Sequence, residues 1–123
     1  MYPSTNAKVR YVQEGRYFTV KFSGKINKRK LAYRINTLRN CVMCNIKNSK
    51  VIKVLLDIRK IQFDSGETHF MMGRMLVKGL MELESHGYTA FRAVLNDHYE
   101  GKVSENRADF TNKRDAINWL SSR

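Results

Sequence analysis

The sequence predicts an α/β domain with a single mixed, mostly parallel sheet of about four to five strands and helices packed on one face. Three observations carry that reading. The run from Val51 to Ile58, VIKVLLDI, is β-rich and apolar, interrupted only by Lys53 and Asp57, which suits a strand covered on both faces. It leads into a polar turn, Asp64-Ser65-Gly66-Glu67, with the composition of a helix start. Helical and extended patterns come in the order β-β-α-β-α-β-β-α, and helices inserted between strands require crossover connections and parallel pairing.

Taken in order, Lys8 to Glu14 and Arg16 to Ser23 alternate as two strands joined by a tight turn at Glu14-Gly15, and Gly24 ends the second. Asn27 is a suitable N-cap for a helix over 27–47, in which Leu31, Ile35, Leu38, Val42 and Ile46 share one face. The strand at Val51 to Ile58 comes next. Asp64 is an N-cap candidate with Glu67 three residues on, as in a capping box, for a long helix over 65–85 that Gly87 closes. Thr89 to Leu95 reads as a strand. The polar stretch 96–106 fits a helical turn inside a loop, and a short extended piece near Ala108 to Thr111 comes after it. Asn112 then caps a terminal helix with Ala116, Ile117, Trp119 and Leu120 on its apolar side, which predicts a buried Trp119.

With 123 residues the chain reads as a single domain, residues 1–123, large enough to bury roughly two thirds of its unfolded surface. It has no signal-peptide core and no run approaching the ~20 apolar residues of a membrane span, so a cytoplasmic location is expected. The net charge of +12 is uneven: residues 1–60 hold 15 Lys or Arg against Glu14 and Asp57, and residues 61–123 hold 8 against 9 acidic groups. Such asymmetry suits an anionic partner, whether nucleic acid, acidic protein or anionic lipid, through Lys25, Lys28, Arg29, Lys30, Arg34 and Arg39. A merely solubilising surface fits it as well.

The segment LLDIRKIQFDSG resembles the strand, loop and helix start of STAS domains, the family of anti-sigma-factor antagonists. FRAVLND resembles their next strand, and DFTNKRDAINWL the closing segment of a largely uncharacterised STAS-like bacterial branch. The resemblance implies helices beside one another on the sheet and a regulatory module acting through protein contacts. In regulatory STAS domains a serine at the head of the second helix is phosphorylated, and Ser65, beside Asp64, is the matching position. A phosphoryl group is accommodated at a helix N-terminus by free N–H groups and the macrodipole, while the simpler role for either residue is capping.

The long helix carries two apolar stripes. Met72, Leu76, Gly79, Leu80 and Leu83 form the face expected on the sheet, and Phe70, Val77 and Met81 form another roughly 140° round. One sheet cannot cover both, so the second stripe either packs on the neighbouring helix or faces a protein partner, a second copy of the chain or a lipid. Cys41-Val42-Met43-Cys44 lies near the C-terminal end of its helix, where the dipole disfavours a thiolate, and reads as structural. His69, His86 and His98 are not spaced as metal ligands, Asp97-His98 with Glu100 reads as a solvated loop, and no cofactor motif is present. The residues therefore point to a non-enzymatic binding or regulatory module. Its expected working surface is the second long helix with its N-terminal turn, its expected partner a protein or a second copy, and the alternative is anion binding through the basic half.

Overall fold

The structure is a computed structural model that describes residues 6–12, 16–45 and 50–123. A mixed six-stranded sheet runs in the order β1-β2-β3-β4-β6-β5, formed by β1 (Asn6–Val12), β2 (Tyr17–Ile26), β3 (Val51–Phe63), β4 (Thr89–Leu95), β5 (Gly101–Ser104) and β6 (Arg107–Phe110). The helices are α1 (Lys28–Asn45), α2 (Gly66–Ser85) and α3 (Lys113–Ser121). The inner pairs β2·β3, β3·β4 and β4·β6 are parallel, and the outer pairs β1·β2 and β5·β6 are antiparallel. The α/β class and the mostly parallel sheet are thus as the sequence predicts.

Two features here differ from expectation, and one expectation is left untested. The polar stretch before Arg107 is the edge strand β5, which gives the sheet its sixth strand; all four of its residues are exposed, so it carries no hydrophobic alternation to read. The turn expected at Glu14-Gly15, together with Ile46, lies outside the described residues. Finally, α1 and α2 share one face of the sheet, as expected, but α3 covers the other.

Side-chain parity explains the last point. Phe18, Val20 and Phe22 of β2, Ile52 and Leu56 of β3, and Ala90 and Val94 of β4 pack against Leu31, Leu38 and Val42 of α1 and Met72 and Leu76 of α2. The alternate residues Tyr17, Leu55, Ala93 and Leu95 point to the other side, where Ala116 and Leu120 of α3 cover them. A strand apolar on both faces needs a cover on both. Trp119 is half-buried at the margin of this second core, with its ring edge-on to Phe91 at 6.3 Å and tilted against Phe110 at 6.0 Å.

β3 runs five residues beyond the expected Ile58. A bulge is the reason: Lys21 pairs with Asp57 but Ser23 with Lys60, so β3 carries one extra residue there. The insertion flips the parity of the residues beyond it, and Ile61 and Phe63 join the face that Ile52 and Leu56 occupy before it. Read as one alternation, the strand breaks at Arg59. Read with the bulge, it continues to Phe63 and delivers the chain to the head of α2.

Candidate functional site

The β2–α1 and β3–α2 connections bring the N-termini of the two long helices together, at the carboxyl ends of parallel strands, where open α/β sheets commonly bind their ligands. Asp64 N–H donates to Ile26 O at 3.1 Å, which ties the two connections to each other. Lys28 Nζ, in the first turn of α1, is 2.6 Å from Glu67 Oε2 in the first turn of α2. The hydrogen bond and charge of Glu67 raise the Lys28 ammonium above its ordinary value, and Lys28 lowers the Glu67 carboxyl in return.

Ser65 is the N-cap of α2. Its backbone is extended, and its Oγ accepts from Thr68 N–H at 3.2 Å. The expected capping box of Asp64 and Glu67 does not form: the cap is Ser65, one residue on, and Glu67 bonds Lys28 instead. Asp64 accepts instead from the hydroxyl of the fully buried Thr68 and lies 3.4 Å from Ser65 Oγ. At the other end Gly87, at φ +87°, closes α2 as expected: its N–H bonds Glu84 O at 3.0 Å and Tyr88 N–H bonds Leu83 O at 3.1 Å.

Of the two stripes of α2, the first is core: Met72 and Leu76 are buried, and Leu80 and Leu83 pack against them. The second is not. Phe70 is 70 % exposed, Met81 63 % and Val77 41 %, so the neighbouring helix does not cover them. These residues border an open cleft of about 1040 Å³ on the flank of α2, whose opposite wall includes Ile58, Val94, Tyr99 and Arg107. The rim is cationic. Arg74 stands over the Phe70 ring at 6.0 Å, and Lys78 and Arg107 also line the cleft, together with the Lys28–Glu67 ion pair.

The basic residues of the first half are less available than the sequence suggests. Lys28 pairs with Glu67, and Arg39 pairs with Glu82 across α1 and α2. Arg34 lies over the Tyr33 ring at 5.7 Å, and neither it nor Lys25 is without a partner. Arg29 and Lys30 are exposed on the first turn of α1, and Lys25 and Lys30 flank a hollow that also includes Asp64. The structure thus gathers Lys25, Lys28, Lys30, Asp64 and Ser65 at one end of the molecule, and carries Arg34 and Arg39 further along α1.

Cys44 is exposed in the last turn of α1, and the side chain of Cys41 lies outside the described residues. Among the described residues no group of three or more His, Cys, Asp or Glu is placed to hold a metal. The Asp97-His98 segment is an exposed bend braced by Asn96, whose Oδ1 accepts from His98 N–H at 2.8 Å and Tyr99 N–H at 2.9 Å. Among the described residues no helix is long and apolar enough to cross a membrane.

One cluster has no counterpart among the sequence expectations. Arg92 in β4 pairs in register with Arg107 in β6, with Asp109 diagonal to Arg92 and opposite Val94. Arg92 and Asp109 are buried, at 4 % and 6 % exposure. Burial, aided by the Arg107 charge and opposed by Asp109, pushes the Arg92 guanidinium down to about 9. Burial likewise raises the Asp109 carboxyl against the pull of Arg107 and Arg92. A lone arginine inside the apolar run AFRAVL was the available signal.

No family model matches the chain, and neither does any curated protein sequence. Solved structures do match. An uncharacterised DUF3478-family protein with a SpoIIAA-like fold from Shewanella loihica is similar over 95 % of this chain and 94 % of its own, at 19 % identity and a TM-score of 0.54. An anti-sigma factor antagonist from Mycobacterium paratuberculosis is similar over 95 % and 94 %, at 12 % identity and a TM-score of 0.62. The fold is therefore STAS-like, as the resemblance implied.

Proposed function

We propose that the chain is a non-enzymatic, regulatory protein-binding module whose working surface is the outer face of α2 with its N-terminal turn. The observation that carries this reading is the exposure of Phe70, Val77 and Met81 along one side of a cleft. Burying a large apolar side chain is favourable by about 1.5–3 kcal/mol, so three in one row supply a substantial part of a partner's binding energy. The anti-sigma factor antagonist among the structural neighbours supports a regulatory role exercised through protein contacts.

The cationic rim of Arg74, Lys78 and Arg107 favours one kind of occupant, an amphipathic segment of another protein with acidic residues beside its apolar anchors. A second copy is disfavoured, because each chain brings a net charge of +12 and the same basic rim. Anion binding through the basic half is not favoured either, since Lys28 and Arg39 are engaged with carboxylates of the chain itself. Ser65 acts in this reading as the cap of α2; a phosphoryl group there would face the Asp64 carboxylate at close range.

Affinity capture from the native cell, with and without nuclease, tests the proposal. Retention of one protein at physiological salt after nuclease treatment is the expected result. Recovery of nucleic acid with loss of all protein after nuclease would support the basic half instead and sink the α2 reading.

A further inference from the structure

The two long helices cover the sheet in steps of two strands: α1 packs on β1 and β2, and α2 on β3 and β4. Paired strands lie about 4.8 Å apart and packed helices about 8–10 Å apart, so one helix to two strands is the spacing that close packing favours. The next pair in the sheet is β6 and β5. Among the described residues no helix lies over that pair on the α1–α2 face, since α3 covers the other side. Topology explains the gap. Parallel strands are usually joined by a crossover helix, as α1 joins β2 to β3 and α2 joins β3 to β4, but the parallel pair β4 and β6 is joined by residues 96–106, which form β5 in the plane of the sheet. Right-handed crossovers that step the same way along a sheet put their helices on one face, so the place of the omitted helix is beside α2.

The cleft on the flank of α2 occupies that place. Glu84 continues the stripe of Phe70, Val77 and Met81, and it accepts at 3.2 Å from Asn106 Nδ2, in the turn between β5 and β6. The stripe therefore looks toward β6. On the sheet side, Ala108 pairs with Ala93 and Phe110 with Leu95 on the α3 face, which leaves Arg107 and Asp109 to the α2 face. Asp109 is buried, and Arg107 lines the cleft with Tyr99, Ile58 and Val94. The carboxylate on the wall, Glu67, is engaged by Lys28, so Arg74, Lys78 and Arg107 leave the cleft cationic.

We infer that the cleft is an uncovered helix position, filled by an acidic amphipathic helix of the partner protein that lies beside α2 and over β6. The inference rests on the α2 reading proposed above and adds the partner's conformation and seat. Length fits a helix, because the rise from Phe70 to Met81 is about 16 Å at 1.5 Å per residue, which three turns of a second helix match. An extended segment has no ladder to join there, since β6 is paired by β4 on one side and β5 on the other. Charge then selects a helix with Asp or Glu along its edges, one of them toward Arg107. A second copy of this chain does not match, for α1 has no acidic residue and α2 carries the same Arg74 and Lys78 beside its stripe.

The test is an amide-resolved NMR titration of the full chain, at physiological salt, with three synthetic peptides of about four helical turns. The first has leucines at helical spacing on one face and glutamates flanking them, the second is the same peptide with a central proline that breaks the helix, and the third has lysine for every glutamate. The expected result is saturable shifts with the first peptide in α2, at Tyr99 and in β6, and binding at least about tenfold tighter than for the other two. Arg107→Gln should weaken the acidic peptide by at least about threefold. Val77→Glu, at an exposed position, should abolish its binding, and it keeps the test decisive where Arg107→Gln fails to fold. Equal binding of the acidic and proline peptides overturns the inference, as do shifts along α2 that spare Tyr99 and β6; either result leaves the α2 surface itself standing. Binding that survives Val77→Glu, a preference for the lysine peptide, or no saturable shift with any peptide up to about 1 mM overturns it too. Capture from the native cell decides the α2 reading independently in each of those cases.

Discussion

Arg59 holds Asp57 side-on within β3: its Nε and Nη2 donate to the two carboxylate oxygens at 3.1 and 3.0 Å, and its backbone N–H donates to Oδ1 at 3.1 Å. The pair sits at the bulge that reverses the parity of the strand. A bulge leaves local backbone groups outside the ladder, and a carboxylate two residues back supplies an acceptor for one of them. The bridge therefore supports the device that carries Ile61 and Phe63 onto the core.

Asp57→Asn should accordingly cost about 1 kcal/mol at pH 7, in keeping with a charge-assisted but partly exposed pair. Burial works against the ionised Asp57, but the side-chain and backbone hydrogen bonds of Arg59, with the charges of Arg59 and Lys21, outweigh it and hold the carboxyl below its ordinary value. A folded-state pKa below the unfolded one gives stability that is complete above the ordinary carboxylate range and is lost as pH falls through the folded value. Urea midpoints of the wild type and Asp57→Asn should thus differ at pH 7 and converge on acidification. A gap that stays constant down to about pH 2 would mean the pair contributes nothing through ionisation.

Replacing Ser65 separates capping from any other role of that hydroxyl. Ser65→Ala should lower stability by about 1 kcal/mol, because the Thr68 N–H loses its acceptor, whereas Ser65→Asp preserves a cap and should stay close to wild type. Thermal melts by circular dichroism decide it. If Ser65→Ala melts with the wild type, the cap assignment is wrong.

Two glycines, one inside α2 and one just past its end, should respond in opposite directions. Gly79→Ala should stabilise the protein by about 0.5–1 kcal/mol, since a mid-helix glycine is entropically unfavourable and the added methyl meets no atom within 4 Å. Gly87→Ala should destabilise it by about 1 kcal/mol, because φ is +87° there and the left-handed conformation closes the helix. A destabilised Gly79→Ala would contradict the first assignment, and a Gly87→Ala that melts like the wild type or higher would contradict the second.

The sequence is legible wherever one physical signal acts alone. The period of Leu31, Leu38 and Val42 marks the buried face of α1, Asn112 and Gly87 mark helix ends, and Thr89 to Leu95 matches β4 residue for residue. It is less legible where two signals overlap. The β3 bulge hides Arg59 to Phe63 behind a change of parity, and β5 is a wholly exposed edge with no pattern. The side taken by α3 was readable in principle, since an apolar run in β3 alternates toward both faces, but that consequence needs Leu55 and Leu95 to be assigned a partner. For the candidate site, periodicity separates the second stripe of α2 from the first. It does not reveal Arg92, whose cluster with Arg107 and Asp109 forms only when β4 pairs with β6.

The most direct measurement for the central claim is the double variant Phe70→Glu with Val77→Glu, compared with the wild type in a thermal melt and in capture of the protein partner after nuclease treatment. Substitutions at exposed positions usually change stability by no more than ~0.5 kcal/mol, so with Phe70 largely and Val77 partly in solvent the melt should move little. Capture should be lost, since two carboxylates replace the apolar anchors. A variant that melts like the wild type and still retains the partner in full would contradict the account, and so would one that fails to fold.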